Sequence, residues 1–271
     1  MNFVLFLCTD YNIKIHRFCQ LINEQFTGVT TLMIVDNNDK DYSQYNYKEV
    51  YQISDVECVE GGFKNSFSGL TEALVKKNPI SWDKAIYFLS KTKFDKAILI
   101  EDDCLVLNPK IFNKFFKIDF DLLVPRHEPR IGNVNDWHWS SIEKSIEPPH
   151  YYSMVCCIGV SKKMIDKVIE HKNKIGSLFY AEAMFNTIAE HNNLLIRTPK
   201  ELSSIVAMGD WNVSDFRLFK NNIFHPVKDI EKHNFYRFLN LVTLKNCLPV
   251  KAQIICPVSF EKLLIPKFLK R

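Results

Sequence analysis

The amino-acid sequence predicts an α/β fold in which helices flank a mixed, mostly parallel sheet. Apolar runs of strand length alternate with segments whose apolar residues recur at helical spacing. The early strands at Phe3–Cys8 and Thr30–Val35 both lead into polar residues, and the run Ala97–Ile100 is followed at once by three acids. Open α/β sheets bind their ligands at the carboxyl ends of their strands, so these polar strand ends predict a ligand site.

Length and composition describe an ordinary globular protein. The chain has 271 residues, of which 46% are hydrophobic and 24% charged, enough to bury a substantial core. The net charge of +4 is too small to indicate a nucleic-acid partner, and none is expected. It is compatible with a small anionic substrate. The oligomeric state is not predicted.

The cysteines favour a reduced, cytoplasmic protein. None of the eight forms a CxxC pair and several lie in apolar runs, so neither a disulfide framework nor a zinc site is expected. Cys156 and Cys157, if adjacent in a strand, would face opposite sides, which also argues against a shared metal. No apolar run approaches the roughly 20 residues that span a bilayer, and Phe3–Cys8 lacks the basic leader of a signal peptide.

The strand and helix pattern continues to about residue 228. We predict one domain over 1–228 and a C-terminal helical extension, 229–271, packed on it. Tyr151–Val160 is predicted as one long central strand. Earlier in the chain, Ser81 is predicted as the N-cap of a helix that extends to about Leu89. The segment Arg126–His150 has no clear period, which is typical of a functional loop.

Three adjacent carboxylates, Glu101, Asp102 and Asp103, follow the buried run. They repel one another and would ordinarily be spread over a solvated loop. At the end of a buried strand they indicate a neutralising cation, and carboxylate oxygens suit Mg²⁺ or Mn²⁺. The plainer alternative is a polar strand end without a ligand.

These residues resemble the GT-A glycosyltransferases, the Rossmann-like class that uses nucleotide sugars and a divalent metal. Each motif is short, and the resemblance depends on their order and spacing between about Met1 and Lys228. The features that carry it are Thr9-Asp10, Asp36, Trp82-Asp83-Lys84-Ala85, Ile100-Glu101-Asp102-Asp103, Glu182 and His225. In that family the acidic cluster is the DxD-type motif, which reads Glu-Asp-Asp here.

The resemblance implies a metal and a nucleotide-sugar donor. Asp103 and His225 would hold Mn²⁺ or Mg²⁺, and the expected donor is a UDP-sugar. Asp102 would lie near the donor's sugar or ribose, with Glu101 in support. The full set of residues expected at the donor is Thr9, Asp10, Asp36, Trp82, Asp83, Lys84, Glu101, Asp102 and Lys228.

The resemblance also implies a catalytic base if the reaction inverts the anomeric centre. Inverting members supply it from an acid at a helix start downstream of the metal motif, a position that Glu182 matches. Asp210 is the alternative, because Gly209-Asp210-Trp211 reads as a loop that could close over the acceptor. A retaining reaction would need neither acid. Aromatic candidates for stacking on an acceptor sugar, or for core packing, are Trp137, His138, Trp139 and Trp211.

The sequence therefore predicts a metal-dependent hexosyl- or N-acetylhexosaminyltransferase acting on a saccharide or other hydroxyl acceptor. A sugar-phosphate nucleotidyltransferase on a related fold is the first alternative. The expected glycine-rich phosphate loop after the first strand is missing, since the first glycine is Gly28. A catalytically silent sugar- or nucleotide-binding module is the second alternative.

Overall fold

A computed structural model of the chain describes residues 1–42, 48–66, 79–133, 137–206 and 211–244. The strands are β1 Asn2–Cys8, β2 Val29–Val35, β3 Val50–Gln52, β4 Lys96–Glu101, β5 Leu105–Val106, β6 Leu122–Leu123, β7 Glu128–Pro129, β8 Tyr151–Tyr152, β9 Cys157–Ser161, β10 Ile196–Arg197 and β11 Ile223–Phe224. The helices are α1 Ile13–Gln25, α2 Asp55–Glu60, α3 Ser81–Lys91, α4 Lys110–Lys117, α5 Trp139–Ile142, α6 Lys162–Ile175, α7 Ala181–His191, α8 Val213–Leu218 and α9 His233–Leu244.

A seven-stranded mixed sheet forms the frame, with strand order β10-β6-β9-β4-β1-β2-β3. The pairs β1–β2, β1–β4, β2–β3 and β6–β10 are parallel, whereas β9 runs antiparallel to both of its neighbours. This arrangement confirms the predicted fold class of a mixed, mostly parallel sheet flanked by helices.

Helices cover both faces of the sheet because successive side chains of its central strands point to opposite sides. In β1, Phe3 and Leu5 join a core that includes Trp82 of α3. Val4 and Phe6 join the other core, which includes residues of α1 and α4. A strand buried on both faces reads as a continuous apolar run, which is why β1 and β4 are recognisable in the sequence.

Two local predictions are wrong. The predicted strand Tyr151–Val160 is two strands, because β8 pairs with β7 in a separate ribbon while β9 joins the main sheet. Between them the backbone N–H of Ser153 donates to the carbonyl of Glu182, 2.8 Å away, which draws the chain off the sheet. The N-cap of α3 is Ile80 rather than Ser81, and the Asp83 carboxylate accepts the Ile80 N–H at 2.9 Å.

The segment predicted as an irregular loop, Arg126–His150, contains two short elements, β7 and α5. Within it, β7 pairs antiparallel with β8, and Trp139 of α5 is buried at 2% exposure. The described part of the segment is therefore more ordered than the sequence pattern indicated.

The described part of the predicted C-terminal extension contacts the rest of the protein. Helix α9 contacts α8 and β5. Its Arg237 is buried, donates from Nε to the carbonyl of Val106 at 2.8 Å, and lies 3.5 Å from the ring centroid of Phe18. The division into 1–228 and 229–271 stays a prediction, because residues 245–271 lie outside the described ranges.

Among the described residues, no helix combines the length and apolar character needed to cross a bilayer. The six cysteines in the described ranges are free and buried.

Candidate functional site

The three acids lie where β4 leaves the sheet. Glu101 is the last residue of β4, and its N–H donates to the carbonyl of Cys156 at 2.8 Å. The N–H of Asp102 donates to the carbonyl of Leu7 in β1 at 3.1 Å, and the N–H of Cys104 closes a turn onto the Glu101 carbonyl at 3.0 Å. Backbone hydrogen bonds to β1 and to the residue just before β9 therefore hold the acids at the carboxyl edge, as the sequence predicts.

A second, two-stranded ribbon brings His225 to Asp103. Strands β5 and β11 pair antiparallel, and beyond the pair the N–H of Val227 donates to the Asp103 carbonyl at 2.8 Å. The indole N–H of Trp211 donates to the His225 carbonyl at 2.9 Å. As a result, His225 Nε2 lies 3.6 Å from Asp103 Oδ1, although the two residues are 122 positions apart in the sequence.

The geometry of this pair fits a divalent cation. Asp103 Oδ1 is buried and, within the part of the chain that the structure describes, has no hydrogen-bond partner. Buried polar atoms are normally paired, so an orphaned carboxylate oxygen facing an imidazole needs an explanation. Oxygen and imidazole nitrogen are both acceptable ligands for Mn²⁺. A cation between the two side chains would supply the missing partner.

Glu101 extends the pair into a wider cluster. Its Oε1 accepts the indole N–H of Trp82 at 2.8 Å, and its Oε2 lies 3.9 Å from His225 Nε2. Cys156 completes a group in which Glu101, Cys156 and His225 offer ligand atoms within 4.8 Å of one another. Cys156 precedes β9 rather than lying in a strand with Cys157, so the sequence argument against a shared metal does not apply.

The electrostatics of the cluster favour a positive ligand. Burial, together with the neighbouring charges of Asp103 and Glu101, raises the pKa of Asp102 to about 6. Both effects reflect the same condition, in which several carboxylates share a poorly solvated strand end.

Glu182 lies in the first turn of α7 and is half-buried. Its pKa is raised to about 7, mainly by burial and also by the charge of Glu101, although a hydrogen bond with Tyr180 acts in the opposite direction. A carboxyl group with a pKa near neutrality is suited to accept a proton at physiological pH. Asp210, the alternative base, lies outside the described residues.

The ends of β1 and β2 lie side by side, as expected for a nucleoside-binding edge. The N–H of Asn37 donates to the Thr9 carbonyl at 2.9 Å, joining the two strand ends. Partial burial raises the pKa of Asp10, but hydrogen bonds from Lys40 and Tyr42 outweigh this and lower it to about 2. Asp10 therefore carries a charge at neutral pH. Lys228 is exposed, three residues beyond His225.

Three residues expected at the donor are buried under these strand ends. The carboxylate of Asp83 accepts the N–H groups of Ile80 and Ser66. The fully buried Lys84 forms an ion pair with Asp55 at 2.6 Å and also contacts Asp36. These contacts give Asp83 and Lys84 a part in supporting the strand ends, and their expected place at the donor stays a prediction. Trp82 is likewise buried, with its N–H used by Glu101.

The aromatic candidates differ in what they can offer an acceptor. Trp139 and His138 are buried, and Trp211 uses its N–H to hold His225. Trp137 is 41% exposed, and its ring centroid lies 5.2 Å from that of Tyr180. Of these four residues, Trp137 has the largest exposed ring.

No protein-family model and no curated protein matches the sequence. Solved structures with a similar backbone include the galactosyltransferase LgtC in complex with donor and acceptor sugar analogues, at 9% identity and a TM-score of 0.46, over 93% of this chain and 99% of that one. An active-site mutant of LgtC matches at 8% identity and a TM-score of 0.44, with the same coverage. The inositol-1-phosphate CTP transferase from T. maritima matches at 10% identity and a TM-score of 0.37, over 72% of this chain and 83% of that one. Similarity at this level says nothing of reaction or substrate.

The raised pKa of Glu182 predicts a pH-dependent loss of stability that Glu182→Gln removes. Between about pH 4.5 and pH 7 the folded carboxyl keeps a proton that the unfolded chain has lost. Stability conferred by that proton is lost as pH rises through this window, by up to about 3 kcal/mol at roughly 1.4 kcal/mol per pKa unit.

Urea unfolding of the wild type and of Glu182→Gln across this window measures the effect. The wild-type free energy of unfolding should fall relative to that of the variant as pH rises. The exposed Glu24→Gln is the matched control and should follow the wild type. Parallel pH profiles for wild type and Glu182→Gln would contradict the assigned environment.

Proposed function

We propose that the protein is a metal-dependent glycosyltransferase that uses a nucleoside-diphosphate sugar, with a UDP-sugar as the expected donor and Mn²⁺ or Mg²⁺ as the cofactor. The observation that carries the proposal is the approach of His225 to Asp103 at the carboxyl edge of the sheet, where the Oδ1 oxygen of Asp103 is buried and has no hydrogen-bond partner among the described residues. The motif resemblance supplies the reaction class, and the geometry supports it.

The donor would lie across the strand ends. Thr9, Asp10 and Asp36 end the adjacent strands β1 and β2, where they can bind the nucleoside. Asp102 would face the ribose or the transferred sugar. Asp103 and His225 would hold the cation, which supplies positive charge to the diphosphate leaving group. Lys228 is exposed nearby in sequence and can reach phosphate from the surface.

Glu182 is the proposed base of an inverting reaction. It accepts the proton of the acceptor hydroxyl as that oxygen bonds to the anomeric carbon, and the nucleoside diphosphate leaves with the electrons of the broken bond. Its pKa of about 7 leaves a substantial fraction deprotonated at neutral pH. The hydrogen bond with Tyr180 fixes the carboxylate's orientation.

The acceptor is proposed to stack on Trp137. This ring is exposed and packs edge-on against Tyr180, which in turn contacts Glu182. A pyranose has an apolar face that can lie on an indole, and the ring contact with Tyr180 would keep it near the base. The proposed acceptor is therefore a glycan or another hydroxyl compound with such a face.

A thermal-shift panel of nucleotide sugars, each with and without Mn²⁺, tests the donor assignment. The true donor should raise the melting temperature only when Mn²⁺ is present, because binding to the native state alone adds stability. Asp103→Asn should abolish this metal-dependent shift, whereas the exposed control Asp119→Asn should keep it. Stabilisation by a nucleoside triphosphate, with pyrophosphate as product, would support the nucleotidyltransferase alternative instead.

Transfer assays of Glu182→Gln test the base. Glutamine keeps the size of the side chain but cannot accept the proton, so turnover should fall on the order of 10²-fold or more while donor binding is unchanged. Glu24→Gln is again the control and should turn over normally. Unchanged turnover in Glu182→Gln, measured together with the anomeric configuration of the product, would remove this residue from the mechanism.

A further inference from the structure

Cys156 places a thiol beside the proposed cation site, which neither the motif resemblance nor the proposed function requires. Cys156 is 8% exposed, and His225 is similarly buried at 9%. The ligand atoms of Glu101, Cys156 and His225 lie within 4.8 Å of one another. The proposed function does not explain why three different potential metal ligands lie this close together.

The backbone holds these three residues in place independently of any ligand. The N–H of Glu101 donates to the Cys156 carbonyl at 2.8 Å, and the thiol of Cys104 contacts the same carbonyl at 3.3 Å. The chain then enters β9, where Cys157 pairs with Ile100 of β4. His225 is positioned separately by the ribbon of β5 and β11. The cluster is therefore preorganised by the sheet and the ribbon together.

The ligand atoms of Glu101, Cys156 and His225 suit a different metal from those of the Asp103–His225 pair. Carboxylate oxygen, thiolate sulfur and imidazole nitrogen are the protein ligands of Zn²⁺, which accepts all three. Mg²⁺ and Mn²⁺ prefer oxygen and gain little from sulfur. One carboxylate and one thiolate also neutralise a divalent charge, which suits a site this buried.

We propose that Glu101, Cys156 and His225 form a Zn²⁺ site that excludes the hard cation from Asp103. Nε2 of His225 lies 3.9 Å from Glu101 Oε2 and 3.6 Å from Asp103 Oδ1, so one imidazole faces both carboxylates. It cannot ligate two ions through one nitrogen, and Zn²⁺ therefore inhibits by competition. On binding, the S–H bond of Cys156 breaks, a Zn–S bond forms, and the proton passes to the buffer. The inhibition rests on the proposed function, whereas the Zn²⁺ site does not.

Cobalt spectroscopy on the full chain tests the site with metal alone. Co²⁺ substitutes for Zn²⁺ and shows a thiolate-to-metal charge-transfer band in the near ultraviolet when sulfur is a ligand. The wild type should show this band, and added Zn²⁺ should abolish it. Cys156→Ser should lack the band and bind Zn²⁺ more than about 100-fold more weakly, beyond the 10–100-fold cost of losing an outer-shell partner.

Two further variants separate this site from its surroundings. Cys157→Ser, which changes the buried neighbour outside the cluster, should keep both the band and the Zn²⁺ affinity, with circular dichroism checking that each variant is folded. Asp103→Asn should also keep the band, since Asp103 is not one of the three ligands. A wild type without the band, or a band that survives in Cys156→Ser, would overturn the proposal.

Competition with Mn²⁺, followed by the electron paramagnetic resonance signal of free Mn²⁺, separates the two proposals. Zn²⁺ should release bound Mn²⁺ from the wild type, and Cys156→Ser should need far more Zn²⁺ for the same release. A cobalt–thiolate band without any Mn²⁺ binding would contradict the proposed function and leave the Zn²⁺ site standing. Mn²⁺ binding without the band would contradict the Zn²⁺ site alone.

Discussion

The interaction on which the site depends is the approach of His225 Nε2 to Asp103 Oδ1, 3.6 Å apart at the end of a buried strand. Three consecutive acids at this position are unfavourable on their own, because burial and mutual repulsion both oppose their charged forms. The raised pKa of Asp102 expresses that cost. The proposed cation between Asp103 and His225 would offset this electrostatic cost.

The fold keeps this arrangement through hydrogen bonds that do not involve the acidic side chains. Strands β1 and β9 hold the end of β4 from either side, and the ribbon of β5 and β11 holds His225. Arg237 of α9 donates to the carbonyl of Val106 in β5, so the ribbon is tied to the helix that follows it. The site is therefore preorganised by backbone pairing, and a ligand need not pay to assemble it.

The sequence predicts the features that depend on neighbouring residues and does not predict those that depend on contacts between residues far apart in the chain. Strands β1 and β4 and the acids that follow β4 are readable because burial and alternation leave a local pattern. The broken strand between Tyr151 and Val160 is not readable, since a contact with Glu182 some 30 positions away diverts it. For the same reason the sequence does not reveal the distant backbone and carboxylate partners of Asp83 and Lys84.

The same contrast between local patterns and long-range contacts applies to the site. Motif order alone predicts His225 beside Asp103, and nothing local indicates the two-residue strands that bring them together. Cys156 was missed because its place depends on where β9 begins, and a single thiol before a strand has no sequence signature. Glu182 carries a local signal in its helix start, but its raised pKa comes from tertiary burial.

The most direct test is a crystal grown with Mn²⁺ and a nucleoside diphosphate, with diffraction recorded where manganese scatters anomalously. The account predicts one anomalous peak bonded to a carboxylate oxygen of Asp103 and to Nε2 of His225, with the diphosphate against it. A fully occupied nucleotide with no anomalous peak at these two side chains would contradict the central claim.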